Sequence, residues 1–270
     1  MNKQLIILLL PILAMGLFGF KSKKENNTLL GMVLLEDPNS LDLDGVLSTL
    51  KSTWELEIDE PSNEDGISVF TIDDYTVAIA NIPAPIPGDE VAHAAEYTYL
   101  WENAKEEAAK HQGHVIVTIM NAGKDPIAEN LLFNKVAGAV LTNSDAIGVY
   151  LGGRTLLMDK PFYLENVNVM SDGGYPIFNW IYFGLRQEKN RRSIYTYGMK
   201  DFGKKEIEIL DSKKQFGALN ELLFGIVYYV LESDVTLNHG ETIGFSANQK
   251  LKITESKGKY LEGNTLKINF

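Results

Sequence analysis

Glu90, His93 and Glu96 recur at intervals of three, which places them on one face of a helix. An imidazole beside carboxylates can act as a general base or contribute to a weak metal site. The run lacks a third strong metal ligand, so no metal is expected, and the plainer reading is a solvated helix face. Just before it lies Asn81-Ile-Pro-Ala-Pro-Ile-Pro-Gly-Asp-Glu90. Pro83, Pro85 and Pro87 at alternate positions force an extended, low-entropy backbone, suited to a docking surface, a lid over a pocket, or simply a rigid linker.

Asn121-Ala-Gly-Lys-Asp-Pro126 joins the end of a strand to the start of a helix, where backbone amides can hold an anion within reach of Lys124. Its spacing is not that of a phosphate loop. Gly152-Gly153-Arg154 ends a later strand and puts Arg154 in an equivalent place. His111 and His114 flank Gly113 at a helix C-terminus, where the dipole accounts for His111, and His239 precedes the turn glycine Gly240. The four histidines form no metal pattern. No serine sits in a nucleophile elbow, and with no cysteine there is no thiolate, disulfide or Cys-ligated zinc. No catalytic residue and no cofactor are expected.

The charge argues about partners. The chain has 25 Lys and Arg against 36 Asp and Glu, a net charge of −11. Four of those lysines lie in the first 28 residues, so the body is more acidic still. Such a body repels phosphate backbones and anionic lipids, which disfavours nucleic acid and favours a basic protein partner. Leu5–Phe20 is an apolar run between Lys3 and Lys21, Lys23 and Lys24. It is short for a membrane span and of the right length for a secretory signal, with Ala14 and Gly16 near a cleavage site. The lysines that follow it hinder export, and Met15 is an alternative start. The expectation is a cytoplasmic protein; the alternative is one exported or anchored through residues 5–20, the only route to a membrane.

These residues must be carried by a mixed chain. Apolar strands are predicted at 29–35, 67–72, 75–82 and 114–120, with a half-exposed strand from Trp54 to Asp59 and a turn at Pro61–Gly66. Helices are predicted after Asn39 or Ser40, from Asp89 to His111 with a break near Tyr97, and from Asp125-Pro126 to Asn143. Gly113 supplies the left-handed stop of the second of these. The order then recurs: a strand at 146–151, a helix at 162–169, strands at 177–186, 193–199 and 205–210, a long helix opened by Ser212 and Gln215, and a strand at 241–246. A hairpin, 251–256 with 266–270, ends the chain. Glu206 and Glu208 alternate with Ile207 and Ile209, as on a strand with one wet face.

This pattern implies an α+β protein of two ferredoxin-like (β-α-β-β-β-α-β) plaits, 29–121 and 146–270, joined by a helix within 122–145, with residues 1–28 outside the fold. The alternative is a single mixed sheet with helices on both faces. Leu34-Leu-Glu-Asp-Pro-Asn-Ser-Leu-Asp-Leu-Asp44, the proline loop, Tyr99-Leu-Trp-Glu-Asn103, His111-Gln-Gly-His114, Leu151-Gly-Gly-Arg154 and Gly240-Glu-Thr-Ile-Gly-Phe245 together resemble an uncharacterised bacterial domain-of-unknown-function family (DUF4261-like) over about Leu30–Phe270. The resemblance implies a soluble bacterial domain and no particular activity. The expected function is a non-catalytic binding module, regulatory or immunity-like. The alternative is a small-ligand or anion-binding protein or enzyme with a pocket between the repeats.

Overall fold

The computed structural model describes residues 28–245 and 249–270, so the N-terminal apolar segment and its alternative readings lie outside the described residues. The chain is α+β and divides into two compact units, one ending at Val167 and the other spanning Asn168–Phe270. Among the described residues no helix is long and apolar enough to cross a membrane.

The first unit is built on strands β1 (Thr28–Leu35), β2 (Asp59–Glu64), β3 (Ile67–Ile72), β4 (Tyr75–Ile82), β5 (Gly113–Met120), β6 (Ala146–Leu151) and β7 (Leu156–Asp159). They form one antiparallel sheet in the order β2-β3-β4-β5-β1-β6-β7. Its helices are α1 (Leu43–Thr53), α2 (Glu90–Ala95), α3 (Ala104–Ala108), α4 (Pro126–Thr142) and α5 (Lys160–Asn168). α1 and α4 pack together, and α4 lies on β1, β5 and β6, where Phe133 fills the space a side chain at Gly31 would need. On the other face Leu34, Ile116 and Tyr150 meet Val91 of α2, Ala104 and Ala108 of α3, Trp101 and Ile86. Cover on both faces explains why β1 reads as an unbroken apolar run.

This order corrects the expected plaits. β6, assigned from sequence to a second copy, pairs with β1 and carries β7, so the first unit runs on through residue 167 rather than stopping at 121. The single-sheet alternative also fails, because there are two sheets. Residues 55–58 form no strand; Glu55 has φ 53°, and the strand begins instead at Asp59, running through the expected turn. β2 is an edge strand with a register shift between Asp59 and Ser62, the setting in which Pro61 costs no ladder bond. The cap of α1 is Asp42, which accepts from the Gly45 amide, not Asn39 or Ser40. Asp89 makes no side-chain cap, and the expected long helix is two short ones separated across residues 96–103.

The second unit has α6 (Ile177–Trp180), β8 (Tyr182–Glu188), β9 (Arg191–Tyr197), β10 (Ile207–Ser212), α7 (Phe216–Glu232), β11 (Thr242–Ile243), β12 (Leu251–Lys257) and β13 (Asn264–Ile268). Its sheet order is β11-β12-β13-β10-β9-β8, with β10 and β13 parallel. One stripe of α7 is buried at Leu219, Leu223, Ile226, Val227 and Val230, while on another side Phe178 stacks on Phe224 and Tyr175 lies tilted against Tyr228. The Ser212–Gln215 capping box does not form: Ser212 Oγ accepts from the Lys214 amide instead.

Gly148 of β6 offers a direct test of the packing. A Cβ there would lie 2.8 and 2.9 Å from the Trp101 ring and against the Met158 carbonyl of β7. Gly148→Ala is expected to destabilise the first unit by about 1–3 kcal/mol, read as a lower urea midpoint with an unchanged slope.

Candidate functional site

The proline run is positioned by two histidines. Because Pro83, Pro85 and Pro87 have no N–H, the loop has few donors, and Ile86 is buried between exposed prolines. Its amide donates to His111 Nε2 at 3.0 Å, while His111 Nδ1–H donates to the Ala108 carbonyl at 2.6 Å. Those partners fix the tautomer, since an amide only donates and a carbonyl only accepts. Two residues earlier in the loop, the Ala84 carbonyl accepts from His114 Nδ1–H at 2.8 Å. Burial lowers the His114 pKa below its ordinary value; the bond to Ala84 partly offsets this and the nearby His111 adds to it.

Between this loop and α3 lies a cleft of ≈ 360 Å³. One side is Pro85, Ile86, Gly88 and Val91, and the other includes Lys105, Ala108 and His111. Gly88 has φ +74°, which a glycine adopts freely as the chain turns into α2. Gly113 is not the expected helix stop. It opens β5, and it is glycine because Pro38 and the Ile82 carbonyl leave no room for a Cβ.

The Glu90, His93 and Glu96 face does not converge. Glu90 accepts from the Tyr150 hydroxyl at 3.2 Å, burial and the Glu90 charge raising the pKa of that phenol. His93 lies 3.8 Å from Glu96 in solvent and edge-on to Tyr97. Among the described residues no group of three His, Cys, Asp or Glu side chains is placed to hold a metal ion.

The anion site expected at Lys124 is filled from within. The amides of Gly123, Lys124 and Asp125 all donate to Glu129 Oε1, at 2.7, 2.9 and 3.0 Å. The geometry is that of an anion-binding nest, and Glu129 of α4, one turn into the helix, is the anion. Arg154 is 5% exposed and donates to Asn130 Oδ1 at 2.7 Å, so it is no surface anion receptor.

Glu206 and Glu208 correct the expected wet face, being 1% and 0% exposed. Glu206 accepts from the Thr196 hydroxyl and from the Gly198, Met199 and Lys200 amides. Glu208 accepts from the Lys259 and Tyr260 amides and the Thr265 hydroxyl, with Lys267 Nζ at 2.9 Å. Burial raises the Glu206 pKa despite its donors. For Glu208 burial also acts upward, but its donors outweigh it and hold the carboxyl below its ordinary value. Two nearby carboxyls pushed in opposite directions are a common mark of an acid and a base. Here both are sealed from substrate and spent on loop amides. Their role is structural.

Residues 195–269, all within the second unit, match the model of a family described as a domain of unknown function (DUF4261). The family resemblance drawn from the sequence is therefore shown over that segment, and the proline loop lies outside it. No curated protein and no solved structure matches the chain.

Two expectations follow from the glutamates. Glu129→Ala empties the nest and is expected to cost about 2–3 kcal/mol by urea denaturation. Millimolar sulfate should then raise the melting temperature of the variant more than that of the parent, and equal shifts would show that the nest does not survive. For Glu208, whose folded pKa is depressed, the stabilisation is present above its unfolded value of about 4.3 and is lost as pH falls through the folded one. Glu206, shifted the other way, partly opposes that loss. Glu208→Gln should therefore be less stable at pH 7 yet show a shallower fall in urea midpoint below about pH 5.

Proposed function

We propose that this chain is a non-catalytic interaction module of the bacterial cytoplasm, with a basic protein partner and a docking face made of the proline loop and the cleft beside it. The observation that carries this reading is the clamping of an exposed proline ridge by His111 and His114. A segment already held in one extended conformation loses little entropy on binding, so contact with it converts efficiently into affinity.

Charge supports the choice of partner. Asp89, Glu96, Glu102 and Glu106 are exposed in the segments flanking the cleft, against Lys105 and Lys110, and Lys110 is engaged by Glu107 at 2.7 Å. A basic surface carrying an apolar side chain for the cleft complements this arrangement, and steering by the acidic body would speed encounter. Nucleic acid is not the partner we propose, and no cofactor is invoked.

Capture from lysate tests the reading. The immobilised protein should retain a basic partner at low salt and lose much of it as salt rises, and a Pro85→Gly, Pro87→Gly double variant should retain it about tenfold less well. Recovery of nothing at any salt, or equal recovery by the variant, would count against docking at the loop. A rise in melting temperature with a metal, nucleotide or small anion would instead favour the ligand-binding alternative.

A further inference from the structure

The two histidine contacts differ in what a proton does to them. The bond from the Ile86 amide needs the lone pair on His111 Nε2. A proton taken from solvent onto that nitrogen leaves two N–H groups facing each other, and the bond is lost. The bond from His111 Nδ1–H to Ala108 survives, so the ring stays on α3 while the loop loses its hold. The bond from His114 Nδ1–H to Ala84 exists in either protonation state of its ring. Ala84 therefore remains tied when Ile86 is released.

We propose that His111 is a proton-released latch on the proline loop, with Ala84 as its pivot: closed when the imidazole is neutral, open when it is charged. The sign follows from proton count. The closed loop requires an unprotonated Nε2 and the open loop does not, so acid favours opening and neutral pH favours closure. Opening carries away Pro85, Ile86 and Gly88, which form one wall of the cleft, and withdraws Ile86 from its packing with Val91, Trp101 and Ala108.

The charged groups around the ring set how readily it takes the proton. Lys105 of α3 lines the same cleft, and His114 of β5 acts on His111 electrostatically; both oppose a second positive charge. On the acidic side, Glu107 of α3 is engaged with Lys110, Glu36 beyond β1 also acts on Lys110, and Glu90 of α2 is bonded to Tyr150 of β6. Asp89, after the loop, is exposed to solvent. Among the described residues the ring bonds are to the Ile86 amide and the Ala108 carbonyl, and the carboxylates named here are engaged elsewhere or face solvent.

That the latch controls partner binding rests on the docking reading above; the loop movement itself does not. The test therefore uses the free, full-length protein. In 15N-labelled protein taken from about pH 7.5 to about 5, the His111 Nε2 chemical shift reports the protonation state of the ring at each pH. Along the same curve, Ile86 amide exchange, corrected for its intrinsic pH dependence, should rise about tenfold or more, while the β5 amides stay protected. In His111→Gln the side-chain oxygen accepts at every pH, and Ile86 should stay protected throughout. Constant Ile86 protection while His111 titrates, acid opening that persists in His111→Gln, or simultaneous loss of β5 protection would each overturn the latch. If His111→Gln does not fold, the two wild-type curves still decide. Partner capture at both pH values then reads the docking hypothesis separately.

Discussion

A buried backbone N–H that has no strand or helix partner must find an acceptor, and much of this protein is arranged around that requirement. Leaving one such group unsatisfied costs about 1–3 kcal/mol, comparable with a sizeable core substitution. The chain meets it with side chains. Glu129 takes three amides of the β5–α4 connector, Glu206 takes those entering the turn at 199–202, and Glu208 takes those at Lys259 and Tyr260. His111 does the same with a single ring nitrogen for Ile86.

The same economy bears on chemistry. A general base or a metal ligand must keep a lone pair for its substrate, and an anion receptor must keep its amides free. Here the buried carboxylates and the buried His111 have given theirs to the backbone. What remains outward is shape and charge: an exposed proline ridge, an apolar cleft and an acidic surface. Those features are the ones on which the proposed docking reading rests. The exception is His111 Nε2, whose single acceptor bond is one a proton can compete for.

The parts of the fold that depend on local pattern were legible. The 67–72 and 75–82 hairpin, the Asp125-Pro126 start of α4 and the buried stripe of α7 follow from periodicity and caps that residues a few positions apart dictate. The sheet order was not, because β6 looks the same whether it opens a second copy or pairs with β1; long-range pairing leaves no mark in a single strand. Glu206 and Glu208 misled for a related reason. Alternation predicts one polar face, and only the loop lying over that face decides whether it is wet. Of the site residues, the prolines were recognised but their anchors were not. His111 was assigned to a helix dipole, although alternate prolines beside a buried isoleucine already imply an isolated amide in search of an acceptor. Glu129 had a fainter signal, a carboxylate four residues past the Asp125 cap, within reach of the nest that precedes it.

The match over residues 195–269 can be understood in the same terms. That segment contains the last three residues of β9 and all of β10, α7 and the terminal hairpin. It also contains both ends of each buried carboxylate network: Thr196 with Glu206, and Glu208 with Tyr260, Thr265 and Lys267. β10 is joined to β13 by a short parallel register of Ile207 with Leu266 and Glu208 with Lys267, and such a pairing cannot be closed by a tight turn. The Glu208 carboxylate, bridging from β10 to the loop and strand of the hairpin, supplies what the connection cannot. A buried ionised group contributes little net stability beside an apolar pair of the same size, but it tolerates no alternative register, since any slip leaves a charge without donors. Glu208 thus ties β10 to the loop and strand of the hairpin beside its parallel register with β13, and the matched segment 195–269 encloses both ends of that tie.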